Sequence, residues 1–264
     1  MGKYITSVIG DQQSACLGHL LHKGQIKCTY GTGCFLMLNT GPDVVFSKHG
    51  LLTTPCYKLN KNDPPCYALE GSVEMGGASI EWAKNNLKLF SNMNEFQSLL
   101  ESVSSSQGVY FVPSFSGLFA PYWDDTAKGL IIGLSQMTNR AHLVRAIVDG
   151  MCLRVCDVMK AMSLDLKHPI DTIKVDGGVT VNDYIMKLQA DYCRAKIVRR
   201  EISEITSLGC CIAAGIGCGM WKSIRDLEGI IKDKNTIEPA NNIDDAVMKS
   251  WELAKSKARN WKME

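Results

Sequence analysis

Short apolar runs with the two-residue rhythm of strands alternate along this chain with longer stretches of 3.6-residue periodicity. That alternation restricts the fold more than any other feature of the 264 residues. Tyr4 to Ile9, Cys34 to Leu38, Val109 to Val112, Leu130 to Leu134, Thr172 to Val175 and Lys196 to Val198 read as extended. Ala141 to Met162 sets Leu143, Ala146, Ile147, Met151, Val155, Val158 and Met162 on one helical face. Asp183 to Tyr192 groups Tyr184, Ile185, Leu188 and Tyr192, and Ile243 to Trp261 groups Val247, Trp251, Ala254, Ala258 and Trp261. Amphipathic helices covering a sheet make an α/β protein. No internal repeat or linker interrupts it; Asn60 to Pro65 and Ser104 to Gly108 read as loops.

Composition removes several function classes. A chain 45% hydrophobic and 21% charged can close a core and is not disordered. Lys plus Arg exceed Asp plus Glu by only two and are dispersed, so neither a nucleic-acid binder nor a polybasic membrane anchor is indicated. The small cluster Lys196, Arg199 and Arg200 reads as a solvated strand end. The longest small-and-apolar stretch, Cys210 to Trp221, falls short of the ~18 residues of a spanning helix, so no membrane span is expected. Met1 to Thr6 fits the loose myristoylation pattern, but the same residues open an apolar run whose burial would compete with a lipid. Eleven Cys occur with no CxxC pair and no glycosylation sequon. With Cys152, Cys156, Cys210, Cys211 and Cys218 inside apolar patterns, they read as small buried hydrophobes of a reducing, cytoplasmic compartment.

Glycines at the ends of extended runs mark the places where chemistry would gather. Gly10-Asp11-Gln12-Gln13 follows one apolar run and precedes a helical stretch; Asp11 there is either a general base at a strand end or a helix cap. In Tyr30-Gly31-Thr32-Gly33 two glycines around a hydroxyl suit either a phosphate or a tight hairpin turn. Val175-Asp176-Gly177-Gly178, leading to Asn182 and a helix, offers bare backbone to a nucleotide or makes a simple turn. Gly76-Gly77 and Gly209 repeat the arrangement, and several such turns in one chain point to a nucleotide more than any one does. Cys16, His19 and His22 share a helical face, but no matching pair follows, so ordinary helix residues are favoured over a metal site; His49, His142 and His168 are isolated.

Taken in order, these segments resemble the C-terminal half of the FGGY carbohydrate kinases, in their glycerol kinase branch. The resemblance runs from Gly10-Asp11-Gln12-Gln13 and Thr29 to Phe35 through His49 to Thr54, Tyr67 to Gly71, Gly77 to Ile80 and Ala120 to Trp123. It continues through Gly129 to Asp149, Val175 to Gly178 with Asn182, Leu188 to Asp191, and Ser207 to Gly209 with Trp221. It covers nearly the whole chain. The fold it implies is an actin-like ATPase (ribonuclease-H-like) domain, a mixed sheet flanked by helices, with residues 1–264 as one such domain.

The resemblance also implies roles: Asp11 as the general base toward a polyol hydroxyl, Gln12 and Phe35 lining the substrate pocket, and Thr32, Gly77, Glu81, Gly178 and Asn182 at the nucleotide. The implied reaction is ATP-dependent phosphoryl transfer to glycerol, with Mg2+ between the phosphates and no protein metal site; glycerol and ATP/ADP are the implied partners, with a homo-oligomer as a further possibility. Family members carry another, N-terminal domain with an Asp-x-Gly-Thr phosphate loop that does not occur in this sequence. The chain is therefore expected to supply the base and nucleotide half of a cleft and to have little activity alone. A non-catalytic nucleotide-binding module and a kinase for another polyol or sugar are the alternative readings.

Overall fold

The computed structural model describes residues 4–261. Its elements follow in the order α1 (Asp11–Gly18), β1 (Ile26–Tyr30), β2 (Cys34–Gly41), β3 (Leu52–Tyr57), β4 (Cys66–Val73), α2 (Gly77–Asn85) and α3 (Met93–Glu101). A small antiparallel pair, β5 (Tyr110–Val112) and β6 (Leu130–Ile132), precedes the long α4 (Arg140–Leu166). Then come β7 (Thr172–Asp176), a 3-10 turn (Gly178–Val181), α5 (Asp183–Cys193), β8 (Lys196–Arg200), α6 (Ile205–Gly217), a second 3-10 turn (Ile224–Leu227), β9 (Asp233–Ile237) and α7 (Asp245–Ala258).

Seven strands form one mixed sheet in the order β3-β4-β2-β1-β7-β8-β9. Only β1–β7 and β7–β8 are parallel; the other pairs are antiparallel. Alternation along β1 divides its residues between two layers. Ile26, Cys28 and Tyr30 join the large core under α4, while Lys27 faces α1, where its ammonium meets Gln12. Helix α4 is buried on nearly all sides, which explains its length, and its Asn139–His142 capping box fixes where it starts. On the opposite layer α1 packs on α6 at very short range. A Cβ at Gly209 would lie 1.8 Å from Ser14 O, and one at Gly18 would lie 2.2 Å from Ile205 O, so only glycine allows that approach.

The register carries functional weight. Thr29 stands beside Phe35 of β2 and beside Asp176 of β7, so the three residues form one row across three strands. Turn Gly31-Thr32-Gly33 closes the β1–β2 hairpin, and its carbonyls receive the helix-start amides of Gly76, Gly77 and Ala78 at 2.8–3.0 Å.

Several sequence expectations need correction. Tyr4 to Ile9 forms no strand: Tyr4, Ile5 and Val8 are exposed, and the segment runs past α6, where Thr6 Oγ1 donates to Ala214 O. An apolar run becomes a strand only when a sheet edge accepts its backbone, and here β3 and β9 end the sheet instead. The first three residues of the myristoylation-like pattern lie outside the described residues. Cys210, Cys211 and Cys218 are exposed because α6 buries its Ile205, Gly209, Ile212, Ala213, Gly215 and Ile216 side and leaves the other to solvent. Trp261 lies beyond the end of α7 and is exposed. The basic cluster is a solvated end only at Lys196, which is exposed beside Glu238. Arg199 is buried, donating to Thr180 O, Asn235 and Asp183, and Arg200 donates to His19 O and Asp233. Strands β1, β3, β4 and β9 and helix α3 escape the sequence reading; β9 is polar, and β3 holds a proline tolerated at an edge.

Candidate functional site

A cleft of about 880 Å³ opens where β1 ends. Its walls are the Gly31–Thr32 turn, the start of α2, the Gly178–Val181 turn, the start of α5 and one side of α3. Thr32, Gly77, Glu81, Gly178 and Asn182, which lie far apart in sequence, all line it. Their roles in the wall differ. Gly77 is a packing glycine, since a Cβ there would sit 2.8 Å from Gly31 O. Gly178 has nothing within 4 Å of its missing Cβ, so it leaves backbone bare toward the cavity. Asn182 caps α5 by accepting from Ile185 N at 3.0 Å and donates to Gln97 Oε1 at 2.7 Å, tying α5 to α3. Glu81 is exposed and accepts from Asn85.

The sharp turn before Gly178 is set by Gly177. Its φ is +96°, and a Cβ would lie 2.4 Å from Tyr30 O. A second cavity of about 560 Å³, lined by Thr29, Asp176, Gly177, Gly178, Thr180, Arg199 and Glu204 among others, meets the first at Gly178.

Asp11, Gln12 and Phe35 stand apart from this cleft. Asp11 does not cap α1; Gly10 occupies that position without a side-chain bond, and the exposed Asp11 accepts only from the amide of Gln12 at 2.8 Å. Gln12 Oε1 accepts from the ammonium of Lys27, which also donates to Thr29 Oγ1 at 2.9 Å and Phe35 O at 3.3 Å. Thr29 in turn donates to Asp176 Oδ2 at 3.1 Å, and the buried His19 places Nε2 2.7 Å from the same oxygen. A continuous polar chain therefore joins the Asp11–Gln12 group to Asp176, at the mouth of the second cavity. Burial pushes the His19 pKa below its ordinary 6.5, despite the opposing pull of Asp176, so the contact is a neutral imidazole donating rather than an ion pair. Burial raises the carboxyl of Glu70; Lys27 opposes that shift and Asp11 adds to it.

Lys27 is the member of this polar chain that sequence reasoning missed; Thr29 was read only as the start of the Thr29 to Phe35 segment, His19 only as an ordinary helix residue, and Asp176 only as part of a turn. One signal was available. Lys27 and Thr29 alternate with Ile26, Cys28 and Tyr30, as the polar face of a strand does. The Cys16–His19–His22 face holds no metal arrangement: Cys16 and His19 are buried, and His22 approaches Glu228 at the surface. Among the described residues no group of three or more His, Cys, Asp or Glu is placed to hold a metal, and no helix is long and apolar enough to cross a membrane.

Comparison with known proteins supplies an independent line. The C-terminal domain of the FGGY family of carbohydrate kinases matches residues 26–218. A probable glycerol kinase from Dictyostelium discoideum is 42% identical over 97% of this chain and 48% of its own length. A glycerol kinase from Parabacteroides distasonis is 42% identical over 97% of this chain and 52% of its own. The crystal structure of Plasmodium falciparum glycerol kinase with ADP superposes with a TM-score of 0.86 at 36% identity, over 94% of this chain and 50% of that one. A xylulose kinase from Lactobacillus acidophilus shares the fold, with a TM-score of 0.80 at 20% identity over 92% of this chain and 49% of that one. The chain thus spans about half the length of these relatives.

Proposed function

Because this chain belongs to the FGGY family of carbohydrate kinases, we propose that it forms the nucleotide-holding, base-carrying half of a glycerol kinase cleft. The reaction is transfer of a phosphoryl group from ATP to glycerol, giving glycerol 3-phosphate. The observation that supports this reading is the convergence of Thr32, Gly77, Glu81, Gly178 and Asn182 on one cleft, with Asp176 lining the neighbouring cavity on the other side of Gly178.

ATP supplies the transferable phosphoryl group and the leaving ADP. The residues position it: bare backbone at Gly178 lets phosphate oxygens approach, and the Thr32 hydroxyl stands on the facing turn. Magnesium would come with the ATP phosphates and would supply charge neutralisation there. Asp11 takes the proton from the attacking hydroxyl. Lys27 turns Gln12 so that its NH2 group faces away as a donor to a substrate oxygen, and Phe35 borders the same place on β2. Asp11 is exposed, so the described residues supply one wall of the substrate site; a second wall completes it in the active enzyme. The reaction is assigned to the cytoplasm.

The test is calorimetric titration of the chain with Mg-ADP, alongside Gly178→Trp. A Cβ at Gly178 meets nothing within 4 Å, so the substitution is aimed into the cleft rather than into the backbone. Saturable binding that the substitution abolishes is expected. A folded wild-type chain that does not bind, or binding that survives the substitution, refutes the nucleotide assignment. Glycerol-dependent ADP formation by the chain alone at rates typical of complete kinases, about 1–100 per second, refutes the need for a second wall.

A further inference from the structure

Eleven cysteines are present and none is bonded, yet two of them stand apart from the rest. Cys156 on α4 and Cys193, the last residue of α5, place their sulfurs 2.8 Å apart. A shift of under about 1 Å would bring them to the ~2.05 Å of a disulfide. Cys156 is buried and Cys193 is half-buried, so one thiol is shielded while its neighbour is within reach of a small solute.

Gln189, fully buried one helical turn before Cys193, supplies a second, independent observation. Its Nε2 donates to Cys193 Sγ at 3.0 Å and to Cys156 Sγ at 3.6 Å, and also to Cys152 O at 3.2 Å, while its Oε1 has no partner. The Cys152 carbonyl, which only a donor satisfies, turns the N–H end of Gln189 this way, and the same amide then holds both sulfurs as acceptors side by side.

We propose that Cys156 and Cys193 are a redox-modification site, in which a peroxide-class oxidant converts the dithiol to a disulfide that fastens α4 to the end of α5. Cys156 is buried while Cys193 is half-buried, so Cys193 is the sulfur that an oxidant reaches first. The Cys193 thiolate attacks hydrogen peroxide: an S–O bond forms, the O–O bond breaks, and the departing hydroxide takes up the proton Cys193 lost. Cys156 then attacks the sulfenic sulfur; the S–S bond forms, the S–O bond breaks, and hydroxide leaves with the Cys156 proton as water. Two thiols lose two electrons, and one peroxide becomes two waters. The loop so closed contains β7, Asp176, Gly177 and Gly178, so oxidation stiffens the segment that separates the two cavities. This inference does not depend on the proposed kinase reaction.

The experiment exposes the native chain to hydrogen peroxide, quenches with N-ethylmaleimide, and maps cysteine peptides by mass spectrometry without reduction. A linked Cys156–Cys193 peptide pair two hydrogens lighter than its reduced parts is expected, reversed by dithiothreitol. The oxidised chain is also expected to melt at least about 5 °C higher than the reduced chain. Cys193→Ser should remove both effects. Cys156→Ser should leave Cys193 as a sulfenic acid that dimedone captures. Cys66 is the control, since hydrogen bonding with Cys56 draws this half-buried thiol down to about 7. Oxidation at Cys66 or at the exposed Cys210, Cys211 and Cys218, with Cys156 and Cys193 both recovered as thiols, overturns the proposal. So does a Cys193 that advances to sulfinic acid in the wild-type chain while Cys156 stays reduced.

Discussion

Lys27 donates its ammonium to the side-chain oxygen of Gln12. An ammonium can only donate, so it dictates which end of the Gln12 amide faces inward and leaves the NH2 group pointing away from β1. Lys27 itself is fully buried, and its further acceptors are Thr29 and Phe35 O. It also holds down the carboxyl of Glu70, which burial otherwise raises above its ordinary 4.5. Lys27→Met should therefore raise the Glu70 pKa further. Carboxyl-carbon NMR titration of both proteins measures it, and an unchanged or lower Glu70 value would count against Lys27 as the charge that governs this group.

Gly177 and Gly178 are neighbours with opposite tolerances. At Gly177 a side chain meets Tyr30 O at 2.4 Å in a left-handed backbone, whereas at Gly178 it meets open space. Gly177→Ala should cost about 2–4 kcal/mol of stability, while Gly178→Ala should stay within about 1 kcal/mol of wild type. Urea unfolding of both variants compares them; equal losses would mean that the turn is not held as described.

His19 gives the fold an acid sensitivity. Its folded pKa lies below 6.5 through burial, so below that pH the unfolded chain binds a proton that the folded chain resists. The stability tied to His19 is fully present above about pH 6.5 and is lost as pH falls through the interval beneath it. His19→Gln keeps a donor for Asp176 but cannot titrate. Unfolding free energies at pH 7.5 and 5.5 should differ less for the variant than for wild type; the same difference in both proteins would remove His19 as the cause.

Asp157 closes a buried polar knot. It accepts from Arg154 at 2.9 Å, from Lys255 at 2.8 Å and from the Trp251 indole at 3.2 Å, with Tyr122 stacked near both cations. Asp157→Ala takes the carboxylate from buried Arg154 and leaves Lys255 with Glu252 at 3.0 Å in place of two carboxylates, which should cost about 3–5 kcal/mol. A fall in melting temperature of about 10 °C is the expected reading, and a fall of under about 2 °C would show that the cations find other partners.

The glycine-punctuated alternation was enough to read an α/β protein, and the ordered motifs were enough to read its family, because both depend on local chemistry. Turns such as Asp176-Gly177-Gly178 and faces such as that of α4 are set by residues close in sequence. The five cleft residues were named as a group by resemblance, and folding brings all five to one cavity. What the sequence could not convey was which runs find partners. Tyr4 to Ile9 has the pattern of a strand but no sheet edge to join, and Cys210, Cys211 and Cys218 sit in an apolar helix that buries only one side. Lys27 went unread until β1 placed it between Gln12 and Thr29, and Asp176 looked like a turn residue until His19, 157 positions earlier, came to lie against it. Local periodicity decides what a segment can bury; only the closed sheet decides against what, and so which polar groups must share a proton or a charge.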